Sequence, residues 1–240
     1  LNLDEINIES KDNQILINNL LLDKAYKIIK LDKADFNYFD IYEKKNKFIV
    51  QRNKNNEYKL NGSMFNADSL ISNLLKSKNN KQTRFFKNDI KLTLNLSEVY
   101  VDNENIVTNL NGSLLLEKNR ITKANISALF DNNENLIFTI NTKNGEKITT
   151  LFSSRAKPLV NRYKFIKGYE EGYIDFYSSK KNKVSKSTLK IYNFKLQEVP
   201  ALTKLLTLAS LQGIADLVSG EGIRFNEFEM NFVNKNNLMT

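Results

Sequence analysis

The chain has 240 residues, 41% of them hydrophobic, enough to bury a substantial core as one large unit or two smaller ones. It contains no cysteine, histidine or tryptophan, which removes thiol nucleophiles, Ser-His triads and the usual Cys/His zinc sites. The net charge of +9 comes from lysines spread along the whole length among asparagines, as at Asn55-Asn56, Asn79-Asn80-Lys81 and Asn234-Lys235-Asn236-Asn237. That spread describes a solvated surface and no nucleic-acid partner, with weak attraction to anionic lipid as the alternative.

Leu1 opens the chain inside a strand pattern, with neither Met nor signal peptide before it, as expected of a piece cut from a longer protein. No run approaches the roughly 20 apolar residues that span a bilayer. Turn signals are expected at Asn61-Gly62, Asn111-Gly112, Asp131-Asn132-Asn133 and Asn144-Gly145. A first helix is expected over 67–78, with Leu70, Ile71, Leu74 and Leu75 on one side and Asn66 as its N-cap. A soft seam is expected at 77–83 within a single domain, 1–240.

Beyond the seam, Ile90, Leu92, Leu94 and Leu96 alternate with Lys91, Thr93, Asn95 and Ser97, the period of a strand with one buried face. The same period recurs in Ile126, Ala128 and Phe130, in Leu136, Phe138 and Ile140, and in Gly172, Ile174 and Phe176. A second short helix is expected to start near Pro158, where proline suits a first helical position. The tetrapeptide Leu-Asn-Gly-Ser occurs at 60–63 and again at 110–113, the one faint sign of an internal repeat.

The third helix, 200–219, is expected to break at Gly213. The stripe of Leu202, Leu205, Leu206 and Ala209 does not align at 100° per residue with that of Ile214, Leu217 and Val218. Its apolar face (Leu202, Leu205, Leu206, Ile214, Leu217) either covers an open end of the sheet or dips into a membrane surface, although Lys204 and Asp216 are few charges for an interfacial helix. The expected fold is therefore mainly β: a long curved antiparallel meander forming a groove or open roll, with about three short helices.

Several motifs carry no chemistry. Gly220-Glu221-Gly222 lacks the Lys-Ser/Thr of a phosphate loop and reads as a helix stop. Asp131 to Asn135 has oxygen ligands at alternate positions, but Leu136 stands where a calcium loop needs glycine. Glu170 and Glu171 point to opposite faces of a strand and cannot easily share a proton; with Asp102 and Glu104 they are the nearest approach to catalytic carboxylate pairs. Asn61, Asn95, Asn111 and Asn125 each begin an Asn-x-Ser triplet, which an asparagine-rich chain produces by chance. The expectation is a non-enzymatic protein with no catalytic residue, no metal and no cofactor.

The closing segment is the most distinctive. Val199-Pro200-Ala201-Leu202, Leu205-Leu206, Ala209-Ser210-Leu211-Gln212-Gly213, Leu217, Ser219-Gly220-Glu221-Gly222-Ile223 and Phe225 follow one another in an order that resembles the AsmA-like C-terminal region of YhdP-type bacterial envelope proteins. Looser likeness continues through Leu60-Asn61-Gly62-Ser63, Asn66 to Ile71, Gly168 to Phe176 and Ser187 to Phe194. One departure is Ser153-Ser154-Arg155-Ala156-Lys157, where the family pattern places an Asp before the turn near Pro158.

The resemblance implies a periplasmic segment of a protein anchored in the Gram-negative inner membrane outside this stretch, whose β-groove carries phospholipid acyl chains toward the outer membrane. The groove candidates are Ile90, Leu92, Leu94, Leu96, Phe138, Ile140, Ile174 and Phe176. A closed sandwich uses the same residues, and a structural or protein-binding β domain of the envelope is the alternative function.

Overall fold

The structure is a computed structural model that describes residues 1–76, 86–118, 120–162, 168–197, 222–235 and 238–239. One open sheet of fourteen strands contains nearly all of it, and the strands lie side by side in chain order. They are β1 (Asn2–Ser10), β2 (Asn13–Leu22), β3 (Ile28–Phe39), β4 (Lys45–Lys54), β5 (Glu57–Asn66), β6 (Ile90–Tyr100) and β7 (Ile106–Glu117). The second half adds β8 (Arg120–Leu129), β9 (Asn135–Lys143), β10 (Glu146–Ser153), β11 (Tyr169–Lys181), β12 (Val184–Leu196), β13 (Ile223–Lys235) and β14 (Leu238–Met239). The mainly-β meander is as expected, with one correction: β5 and β6 pair in parallel. A parallel neighbour needs a crossover, and helix α1 (Asp68–Lys76) begins it.

Two of the expected helices are present. Asn66 takes the capping role expected of it, its Oδ1 accepting the Asp68 N–H at 3.1 Å, and the Ile71 N–H bonds the Ala67 carbonyl at 2.9 Å. Helix α2 is a single turn, Lys157–Val160, with Pro158 in its first turn. A 3-10 turn at Asp131–Asn133 occupies the expected hairpin connection. The seam at 77–83 and the broken helix over 200–219 lie outside the described residues.

Two turn expectations fail. Asn61-Gly62 lies inside β5 and Asn111-Gly112 inside β7, whereas Asn144 (φ 52°) and Gly145 (φ 73°) do form the β9–β10 turn. The two strand glycines serve close approach instead. A Cβ on Gly62 would stand 2.5 Å from the Lys47 carbonyl oxygen and the Phe48 Cβ, and one on Gly112 would stand 2.4 Å from the Asn125 carbonyl oxygen. The Leu-Asn-Gly-Ser repeats thus flank β6 on both sides: Gly62 is in register with Leu96, Gly112 with Leu94, and Asn61, Asn95 and Asn111 stand abreast.

Strict alternation also breaks, and always in the same way. Ile17 and Leu20, Leu31 and Ala34, Leu96 and Val99, and Ile191 and Phe194 each share a hydrophobic cluster although they are three residues apart. In an unbroken strand such pairs face opposite sides. Asn19, Asn109 and Asn193, all with φ 51°, sit within or opposite all four of these steps. An asparagine in the left-handed region turns the strand so that both apolar residues reach the same core.

Strand ends alternate between two rims. Tight connections at 55–56, 144–145 and 182–183 define a hairpin rim, whereas α1, α2 and the segments 40–44, 101–105, 130–134 and 154–162 share the opposite, helical rim. Arg162 fastens that helical rim: its guanidinium pairs with Asp68 Oδ1 at 2.7 Å and donates to Ser72 Oγ at 2.7 Å and to the Val101 carbonyl. The edge strand β1 carries Asp4, Glu5 and Glu9, and β13, which β14 pairs only at Asn234 and Lys235, carries Glu227 and Glu229 on its uncovered length, acids that discourage edge-to-edge association. Gly62→Ala and Gly112→Ala are expected to lower stability by about 1–3 kcal/mol each, because backbone must shift to admit a Cβ. Urea denaturation with unchanged slope checks this.

Candidate functional site

The register of the sheet aligns one apolar residue from every strand between β1 and β13. Ile6 faces Ile17, which faces Ala34, then Val50, Leu60 and Leu94. The row continues through Gly112, Ile126, Phe138, Leu151, Phe176, Leu189 and Met230. No polar side chain interrupts it. At the spacing of roughly 4.8 Å between strands, the row runs about 58 Å across the sheet.

The row one residue along faces the other way and has a different character. Asp35, Asn61, Asn95, Asn111, Ser127, Asp175, Lys190 and Glu229 occupy it, among a few apolar residues such as Ile49 and Ile137. There Lys190 pairs with Glu229 at 2.8 Å and with Glu227 at 3.2 Å, and these contacts push the lysine pKa up and the Glu229 carboxyl down. The sheet therefore has one apolar and one hydrated face.

The eight groove candidates from the strand pattern lie on the apolar face, in neighbouring rows. Leu94, Phe138 and Phe176 share the long row described above. Leu96 and Ile174 belong to the row toward the helical rim, with Phe36, Phe48, Leu136 and Ile191. Leu92 and Ile140 belong to the row toward the hairpin rim, joined through Leu114 and Ala124, and Ile90 lies one row further. Ile90, Leu96, Ile140 and Ile174 are buried, whereas Leu92, Leu94, Phe138 and Phe176 are half-buried. The C-terminal set Leu202, Leu205, Leu206, Ile214 and Leu217 lies outside the described residues.

Burial is graded along the long row. Ala34 is 1% exposed, the central residues are half-buried, and Met230 at the β13 end is 37% exposed beside Phe228 at 43%. Sequence reading missed the outer members, Ile6, Ile17, Val50, Leu151, Leu189 and Met230. Alternation is visible around some of them, as in Ser187, Leu189 and Ile191, but only the register shows that they continue the row seeded by Leu94.

The acids occupy structural roles. Glu170 holds Lys157 through both carboxylate oxygens at 2.8 Å, fixing α2 to β11, and Glu171 pairs with Lys195 at 3.1 Å and Arg224 at 3.3 Å. Asp102 Oδ1 accepts from the backbone of Glu104 and Asn105 at 2.8 and 2.7 Å, closing the β6–β7 turn. Arg155, at the position where the resemblance had an acid nearby, pairs with Glu134 and Asp131 and lies over the Phe130 ring at 5.5 Å. Among the described residues no group of three acids could hold a metal, and no helix is long and apolar enough to cross a membrane. A cavity of about 480 Å³ near the β1–β2 hairpin is lined by Glu9, Lys11, Asp12, Gln14 and other polar groups, away from the long apolar row.

The tightest polar network is at the helical rim. Asp40 Oδ2 accepts from Asn66 Nδ2 at 2.6 Å and Asn46 Nδ2 at 3.4 Å, while its Oδ1 accepts from the backbone N–H of Tyr42 and Lys44. Burial works to raise the Asp40 pKa, but these four hydrogen bonds outweigh it and hold the carboxyl below its ordinary value. Asn46, 1% exposed, accepts the Asn66 N–H at its Oδ1 at 2.8 Å. The network joins the β3–β4 loop to the start of α1.

Comparison of the chain with protein-family models, with curated proteins and with solved structures finds no match in any of the three.

Asp40 titrates lower in the folded than in the unfolded chain. Its contribution is therefore complete above the unfolded value, about 4, and is lost as pH falls through the folded value. Asp40→Asn is expected to lower the melting temperature at pH 7, with the gap to the wild type closing below about pH 4; thermal melts across that range measure it.

Proposed function

We propose that the apolar face binds the acyl chains of phospholipid, and that the chain is the non-enzymatic groove segment of an envelope protein of the AsmA-like kind, anchored in the inner membrane outside this stretch and facing the periplasm. The observation that carries this reading is the uninterrupted row from Ile6 to Met230, half-buried over most of its length. Half of a bilayer's hydrocarbon core is about 15 Å thick. The row is therefore several acyl chains long.

The physics of such a site is simple. Each methylene moved from water onto the row gains up to about 0.8 kcal/mol, and neighbouring rows of Leu, Ile and Phe widen the strip that receives it. Because similar side chains recur at every strand, a chain shifted by one strand spacing meets nearly the same surface. Binding strength then varies little along the row, which permits sliding without any covalent step. Direction must come from outside the segment.

Leu94 lies at the centre of the row and tests it directly. In a dry interior an unpaired carboxylate costs several kcal/mol, enough to unfold a domain whose whole stability is roughly 5–15 kcal/mol. On an open lipid-binding face it stays hydrated when no lipid is present. Leu94→Asp is expected to keep its far-ultraviolet circular dichroism and most of its melting temperature while losing retention of a fluorescent phospholipid; native mass spectrometry of the wild-type protein should show co-purified phospholipid. Unfolding of the variant favours a closed core. A folded variant that retains lipid as the wild type does rejects this row as the binding wall, and absence of lipid from the wild type favours a structural or protein-binding domain.

A further inference from the structure

On strands β9 to β11 the apolar face changes character along the strand direction. Phe138, Leu151 and Phe176 stand in register in the long row. Four residues nearer the hairpin rim, on the same face, stand Thr142, Lys147 and Lys180, again in register with one another. No bulge separates the two rows, so their side chains share a face. Between them lie Ile140, Thr149 and Ser178, so the surface passes from apolar to hydroxyl-bearing to cationic.

Several cations of the sheet meet acids, as in Lys157 with Glu170 or Lys190 with Glu229. Among the described residues no carboxylate comes within ion-pair distance of Lys147 or Lys180, which stand in register beside one another. Lys147 is half-buried, and the Thr142 hydroxyl in register with it is buried with no hydrogen-bond partner. Burial first, then neighbouring positive charge from Lys180 and Arg120, lowers the Lys147 pKa. Clustered like charges and an orphaned hydroxyl both cost stability, and a bound anion relieves both.

We propose that Lys147 and Lys180, with the Thr142 hydroxyl, bind a phosphate group at the hairpin rim, and that this phosphate is the head group of an anionic amphiphile whose chains lie on Phe138, Leu151 and Phe176. The second half rests on the acyl-chain reading above; the first half stands on the cation cluster alone. Two ammonium groups supply charge-assisted donors suited to phosphate oxygens. The polar head stays at the rim, in reach of water. The site would select anionic over neutral amphiphiles, a preference the apolar row cannot express.

The test compares the wild type with Lys147→Ala/Lys180→Ala, using three probes: phosphatidylglycerol, diacylglycerol with the same chains, and inorganic phosphate. The wild type is expected to retain phosphatidylglycerol about tenfold better than diacylglycerol, the effect of one charge-assisted hydrogen bond. The double variant should hold both equally and, freed of like-charge repulsion, melt no lower than the wild type. Equal retention of the two lipids by the wild type, or a preference that survives in the variant, overturns the head-group site while leaving the acyl-chain reading in place. Inorganic phosphate that raises the melting temperature of the wild type and not of the variant, with neither lipid retained, supports the anion site and makes free phosphate its source. Failure of phosphate and phosphatidylglycerol alike to respond to the two lysines overturns the proposal entirely.

Discussion

Cross-strand register is the constraint on which the rest of this protein depends, because side chains in a sheet alternate and a slip of one residue exchanges the faces. On most strands a slip would replace a member of the apolar row by a polar neighbour, such as Asn95, Asp175 or Lys190, and divide a continuous strip into pieces. Tight hairpins such as Asn144-Gly145 hold that register at one rim. Where the register shifts, as between Lys47 and Phe48 or between Thr108 and Asn111, a strand glycine lies close by and lets the adjacent backbone approach. The long row passes both places intact.

The opposite rim answers a different problem. A sheet that presents an apolar face needs its ends closed, and the α-helices and longer loops gather at the helical rim, where Ala67, Val101, Phe130, Ala156 and Val160 are buried. The half-turn introduced by Asn19, Asn109 and Asn193 directs apolar residues on both sides of it into the clusters beneath. Polar groups fasten this arrangement: Arg162 bridges α1 and the β6–β7 loop, and Asp40 with Asn46 and Asn66 ties the β3–β4 loop to the helix start. Most charge-bearing side chains that look chemical in the sequence are accounted for by such fastening.

The face that results is amphipathic in two directions. Through the thickness of the sheet it separates an apolar from a hydrated side, and along β9 to β11 it grades from phenylalanine and leucine to lysine. A molecule with an apolar tail and an anionic head matches both gradients at once. Neither gradient needs a reacting group, which accords with a chain lacking histidine and cysteine.

The alternation of Ile90 to Leu96, the cap at Asn66, the proline opening α2 and the Asn144-Gly145 turn were all legible in the chain, because each is decided by residues within a few positions of one another. The Asn-Gly pairs at 61–62 and 111–112 misled for the same local reason: the dipeptide signals a turn, but their glycines answer to the backbone of Phe48 and Ile126 on neighbouring strands. The parallel pairing of β5 with β6 was hidden because it depends on a crossover, and the three-residue apolar steps because strict period two was assumed. Lys147 and Lys180 were lost among lysines that occur everywhere in the chain. Composition and periodicity therefore determined that this protein is an antiparallel-rich β sheet; which side chains share a row, and which lysines stand side by side, was decided only by the pairing of strands distant in the chain, since register joins residues that no local pattern connects.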